Sequence, residues 1–152
     1  MTEGSFTRRL RRPQVRGKYL FVGNEKLLVR GTTYGTFRPD AHGNEYGTPD
    51  QVERDLVAIA ASGFNALRTY TVPPRWLLDS AARHGLRVMV GLPWEQHVAF
   101  LDEPARCDAI EQRVRTAVSS CAGHPAVLMY AVGNEIPAPI VRWHGRRRVE
   151  IM

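Results

Sequence analysis

Four short stretches of this 152-residue chain gather side chains suited to a sugar. They are Thr33, Tyr34, Phe37, Arg38 and Asp40; Arg68-Thr69-Tyr70; Pro93-Trp94-Glu95-Gln96-His97; and Asn134-Glu135. Sugar rings stack on aromatic faces, and their hydroxyls need closely set donors and acceptors. Other chemistries find less support. Cys107 and Cys121 lie 14 positions apart in one predicted helix, a rise of about 21 Å that no disulfide spans. They share that helix's apolar face with Ile110, Val114 and Ala117 and read as core thiols. The five histidines have no metal-ligand spacing, so neither a metal nor a cofactor is expected.

The stretches recur because each ends a strand. Tyr19 to Val22 and Lys26 to Val29 flank Gly23-Asn24-Glu25 and predict a β-hairpin, the second arm running on into a strand that ends at Gly31. A polar loop, residues 32–47, follows. Thr48 then caps a helix opened by Pro49, with Gln51 in the capping-box position and Gly63 as its stop. Phe64 to Arg68 predicts a second strand. Pro73-Pro74 opens a helix that turns Leu77, Leu78, Ala81 and Ala82 inward and closes at Gly85. Leu86 to Val90 predicts a third strand, Pro104 to Ala122 a third helix, and the apolar run from Ala126 to Val132 a strand buried on both faces. Strands and helices alternating in units of about 30 residues mean parallel β/α architecture. A doubly wound sheet would carry G-x-G-x-x-G in its first turn; Gly31-Thr32-Thr33-Tyr34-Gly35 does not match it. The expectation is α/β, the first half of a (β/α)8 TIM barrel preceded by a hairpin, with the sugar-suited stretches at the strand C-termini, where such barrels work.

The net charge of +6 does not alter this. Residues 1–18 hold six Lys or Arg against Glu3, and residues 142–152 hold four Arg against Glu150, whereas 19–141 hold 11 basic and 13 acidic residues. The excess sits at the ends, so residues 1–18 read as an irregular basic tail and 19–152 as the domain. Neither a nucleic-acid nor a membrane partner is expected. No apolar segment follows Arg8, Arg9, Arg11 and Arg12 as a secretory signal requires, which makes a cytoplasmic chain the expectation.

Gly63-Phe64-Asn65-Ala66-Leu67-Arg68 resembles the G-x-N-x-x-R of strand two in clan A glycoside hydrolases, family 2 in particular. His124-Pro125-Ala126-Val127-Leu128 followed by Gly133-Asn134-Glu135 resembles their strand four, and the hairpin before Gly31 is similar to the one leading into the family 2 barrel. Arg68-Thr69-Tyr70 is also similar to β-1,3-glucan-active members of the clan. The tripeptide G-N-E alone carries nothing, since it recurs in the hairpin turn at Gly23-Asn24-Glu25. The resemblance implies a retaining hydrolase of β-linked glycans, with an oligo- or polysaccharide as substrate. Glu135 would be the acid/base, Asn134 would hold the sugar 2-hydroxyl, and Arg68 would orient the nucleophile carboxylate. Trp94, Tyr34 and Tyr70 are expected sugar contacts, and Glu95 and His97 expected cleft residues. The family's nucleophile lies at the end of strand seven, which this sequence does not contain; Glu95, Asp40 and Asp102 lie on loops at the right end, but clefts hold many carboxylates that do no chemistry. Two alternatives accompany the enzyme: a half-barrel that binds carbohydrate without cleaving it, and one that associates with its own copy.

Overall fold

The computed structural model describes residues 11–41 and 43–151. A small antiparallel sheet comes first, made of β1 (Gln14–Arg16), β2 (Tyr19–Val22) and β3 (Glu25–Lys26). Its β2–β3 turn falls at Gly23-Asn24, with Gly23 at φ +63 where a side chain would be strained. Strand β1 was not expected: it lies within the stretch assigned to the basic tail, of which residues 1–10 lie outside the described residues. The second arm also differs. It ends at Lys26, and Leu28 and Val29 are exposed. The next strand starts at Gly31, where the expected one ends, because the Asn65 side chain binds the backbone at Leu28 and Arg30 and delays the ladder to Gly31 and Ala66.

Four parallel strands follow, β4 (Gly31–Thr33), β5 (Ala66–Thr69), β6 (Arg87–Gly91) and β7 (Val127–Ala131). Between them run α1 (Pro49–Ala61), α2 (Arg75–Arg83) and α3 (Pro104–Cys121); α4 (Ala138–His144) and α5 (Arg146–Glu150) come last. The strands lie side by side in chain order, without the switch point that divides a doubly wound sheet. One core covers one face of the sheet, joining Leu67, Val88, Val90 and Leu92 to Val52 and Leu56 of α1 and Leu77, Leu78 and Ala81 of α2. Helices on one face of a sequentially ordered parallel sheet are the layout of a barrel wall. Four strands do not close it.

Local chemistry places each element. Thr48 Oγ1 accepts the Gln51 N–H at 3.3 Å, and Pro49 occupies the first turn of α1, where a missing N–H costs nothing. His124 sets the entry to β7: its Nδ1 accepts the Ala126 N–H at 3.1 Å, which leaves the proton on Nε2 to donate to Asp79 at 2.9 Å. Cys121 is buried and Cys107 partly so, and both are free thiols. Among the described residues no helix is long and apolar enough to cross a membrane.

Candidate active site

Alternation along β5 buries Leu67 and Thr69 at 1% and 0% exposure on the helix side, which turns Arg68 and Tyr70 to the opposite face. The Arg68 guanidinium lies 4.7 Å from the centre of the Tyr70 ring, a cation–π distance. Its Nη2 donates to Asn134 Oδ1, joining the ends of β5 and β7 across 66 positions of sequence. The Arg68 Nε–H is buried without a partner. Between them passes β6, and its Gly91 has no substitute: a Cβ there would sit 2.5 Å from the Tyr70 carbonyl oxygen. The result is a cavity of about 240 Å³ whose wall includes Arg68, Tyr70, Thr71, Trp94, Gln96 and Asn134.

β7 leads on to Asn134 and Glu135. An extra residue in β7 shifts the register between Val88–Val127 and Met89–Met129, a bulge just upstream of the site. Asn134 then leaves the sheet and Glu135 turns sharply, at φ +56, the only left-handed residue other than glycine among those described. That conformation costs a residue with a Cβ roughly 1–2 kcal/mol and persists where surrounding contacts impose it, as functional sites often do. Glu135 is exposed, and its carboxylate has no hydrogen-bond partner among the described residues.

Of the residues picked out by sequence, Arg68, Tyr70, Trp94 and Asn134 meet at one cavity, with Glu135 following directly. Trp94 packs edge-on against Phe100 with ring centres 4.8 Å apart, and its indole N–H donates to the Val132 carbonyl. Tyr34 does not join them. It is 6% exposed in the core, its hydroxyl donating to Asp55 of α1 at 2.8 Å; burial foremost, then that carboxylate, raises its pKa above the usual phenol range. Glu95 turns away to Arg113 of α3 at 2.7 Å, a contact that lowers its carboxyl pKa. His97 is exposed outside the cavity wall.

The substitute carboxylates are engaged elsewhere: Asp40 accepts the Asn44 N–H at 2.9 Å, and Asp102 accepts the Trp143 indole N–H at 2.7 Å. Two residues to which the sequence assigned no role of their own take part, Gln96 having been read only as one of the stretch 93–97. Gln96 bonds Asn134 through both ends of its amide, accepting the Asn134 N–H at 2.7 Å and donating to the Asn134 carbonyl. Glu45 accepts from the Thr71 hydroxyl at 2.8 Å, which also meets Tyr46 Oη. Neither carries a signal in sequence, because both contacts bridge distant segments.

The arrangement sets a cation fixed by an amide beside aromatic faces, with an exposed carboxylate one residue further along the chain. The family model for the TIM barrel domain of glycosyl hydrolases family 2 matches residues 14–146. The chain is 30% identical over 135 residues to a beta-galactosidase of Klebsiella pneumoniae, and 28% identical over 128 residues to one of Aeromonas hydrophila. The aligned parts cover 82% and 80% of this chain and 12% of each relative, so the chain spans a small part of their length. A beta-glucuronidase of Parabacteroides merdae superimposes with TM-score 0.67 at 22% identity, over 82% of this chain and 16% of that one. Gas2 superimposes with TM-score 0.68 at 20% identity, over 95% and 38%. The chain belongs to glycosyl hydrolases family 2, of whose TIM barrel domain it forms four strands and their helices.

Proposed function

We propose that this half-barrel carries the acid/base of a retaining β-glycosidase, and that Glu135 is that residue. In such a reaction the acid protonates the departing glycosidic oxygen while a second carboxylate attacks the anomeric carbon; the same residue, now a base, takes a proton from the water that releases the sugar. Asn134 holds the sugar 2-hydroxyl through its side-chain amide. Arg68, fixed by that amide and by Tyr70, presents its unpartnered Nε–H to the attacking carboxylate and favours its ionised form. Tyr70 and Trp94 form the apolar wall for the sugar ring. No Asp or Glu, Glu135 included, is among the described residues of the cavity wall, and the nucleophile is assigned to the strand-seven position that the family resemblance implies.

The observation that carries this reading is the Arg68–Asn134 bond, which ties the two strand ends directly before the one residue other than glycine that stands at positive φ among those described. The names of the relatives make β-galactosides and β-glucuronides the first substrates to try. A second reading, binding without cleavage, draws on the same lack of a carboxylate in the wall. The two separate on one comparison. For the enzyme, in a barrel that carries all eight strands, Glu135→Gln lowers kcat by roughly 100-fold or more, while Trp94→Ala weakens oligosaccharide binding, read by calorimetry. For a binding half-barrel, Glu135→Gln changes nothing measurable and no wild-type turnover exists to lose.

A further inference from the structure

The Gln96 amide consumes both backbone hydrogen-bonding groups of Asn134. This is the two-way pairing that a neighbouring strand supplies to a residue in a ladder, delivered here by a side chain. Gln96 is only 8% exposed, and its own N–H returns to the Trp94 carbonyl at 2.9 Å. Trp94 in turn holds Val132 through its indole N–H and packs on Phe100, which is fully buried. The loop after β6 thus grips residues 132 and 134 while Arg68 grips the Asn134 side chain from β5. Gly133, between the two held residues, is tightly neighboured: a Cβ there would lie 3.1 Å from Ile136 Cδ1, which would have to give by a few tenths of an ångström.

With Asn134 pinned on three sides, the chain's change of direction falls on the next residue, and that residue is Glu135 at φ +56. We propose that Gln96 is a positioning residue: its amide clamp on Asn134 imposes the left-handed turn that aims Glu135. The catalytic consequence rests on Glu135 being the acid/base, but the turn itself does not.

The test is therefore built on stability of the 152-residue chain. A residue with a Cβ is strained at positive φ and glycine is not, so the gap in melting temperature between Glu135→Gly and Glu135→Ala reports how firmly the turn is held. Both variants lack the carboxylate, which keeps the result independent of any role of Glu135 in catalysis. With Gln96 present, the Gly variant melts higher than the Ala variant by about 3 °C. In a Gln96→Met background, of similar length but without the amide, the gap closes or reverses, because the released segment no longer needs a positive φ. Gln96 acting only as packing would lower both variants equally and leave the gap intact, which overturns the proposal. No gap in either background overturns it as well. Should Gln96→Met fail to fold, Gln96→Glu serves in its place: at neutral pH it still accepts the Asn134 N–H but has lost the donor to the Asn134 carbonyl, and the gap again shrinks.

Discussion

Arg68 shows why residue type matters at this site. Its planar fork gives one arm to Asn134, lies against Tyr70 and keeps Nε–H for a further acceptor. Lysine offers a point charge without that geometry. In a barrel completed to eight strands, Arg68→Lys lowers kcat/KM by on the order of 100-fold, an effect typical of lost orientation, read by steady-state kinetics on a nitrophenyl β-glycoside. Arg68 was legible in sequence because Gly63, Asn65 and Arg68 each do separate work: Gly63 ends α1 at φ +84, Asn65 holds the preceding chain, and Arg68 reaches the cavity. Tyr34 was misplaced because its nearness to a strand end did not reveal its face. The core took it. Gln96 stood out only as one of the stretch 93–97 and its own role was hidden, since an amide that binds backbone 38 positions away leaves no local pattern.

At the scale of elements, helix starts were legible from capping chemistry and strand bounds were not. Thr48 and Pro49 mark the start of α1 to the residue, and Thr48→Ala lowers stability by about 1 kcal/mol in chemical denaturation. β1 escaped notice because Gln14-Val15-Arg16 has no apolar alternation; it pairs with β2 across the tight turn at Gly17. The tie between α1 and α2 is also invisible in sequence. Glu53 accepts from Ser80 and meets Arg83 and His84, and these bonds, Ser80 first, lower its pKa to about 2. A carboxyl depressed below its unfolded value near 4.3 stabilises the fold above that pH and loses the effect as pH falls toward 2. Glu53→Gln is therefore less stable than wild type at pH 7, by about 1 kcal/mol since solvent screens this half-exposed group. The difference shrinks between pH 5 and 2, as urea melts across that range would record.

At the scale of the whole sheet, the described strands form a barrel wall with β4 and β7 at its edges. Its edges carry unpaired backbone groups, and apolar side chains such as Val132, at 56% exposure, lie beyond the end of β7. Unpaired edges with apolar neighbours associate. The isolated 152-residue chain is predicted to form concentration-dependent oligomers in sedimentation, and Val132→Lys to shift them toward monomer. The face away from the helices leaves a second mark. Arg87 is 5% exposed, its burial lowers its pKa, and its Nη1 has no partner. A charge buried with incomplete pairing is costly, and an apolar residue of similar length often stabilises. Arg87→Met is expected to raise the melting temperature of the isolated chain; a lower one would mean that the guanidinium is satisfied in solution. The alternating β/α order was plain in sequence because it depends on burial patterns. The edges were not, because which strands lack a neighbour is a property of the assembled sheet.

The central claim is that Glu135 gives and takes the proton. It is tested most directly by turnover of p-nitrophenyl β-galactoside and β-glucuronide, comparing Glu135→Gln with wild type in a barrel that carries all eight strands. The predicted result is a fall in kcat of roughly 100-fold to 10,000-fold, the range for removing a general acid/base, with oligosaccharide affinity unchanged. Turnover within twofold of wild type would contradict the account and move the acid/base away from the end of β7.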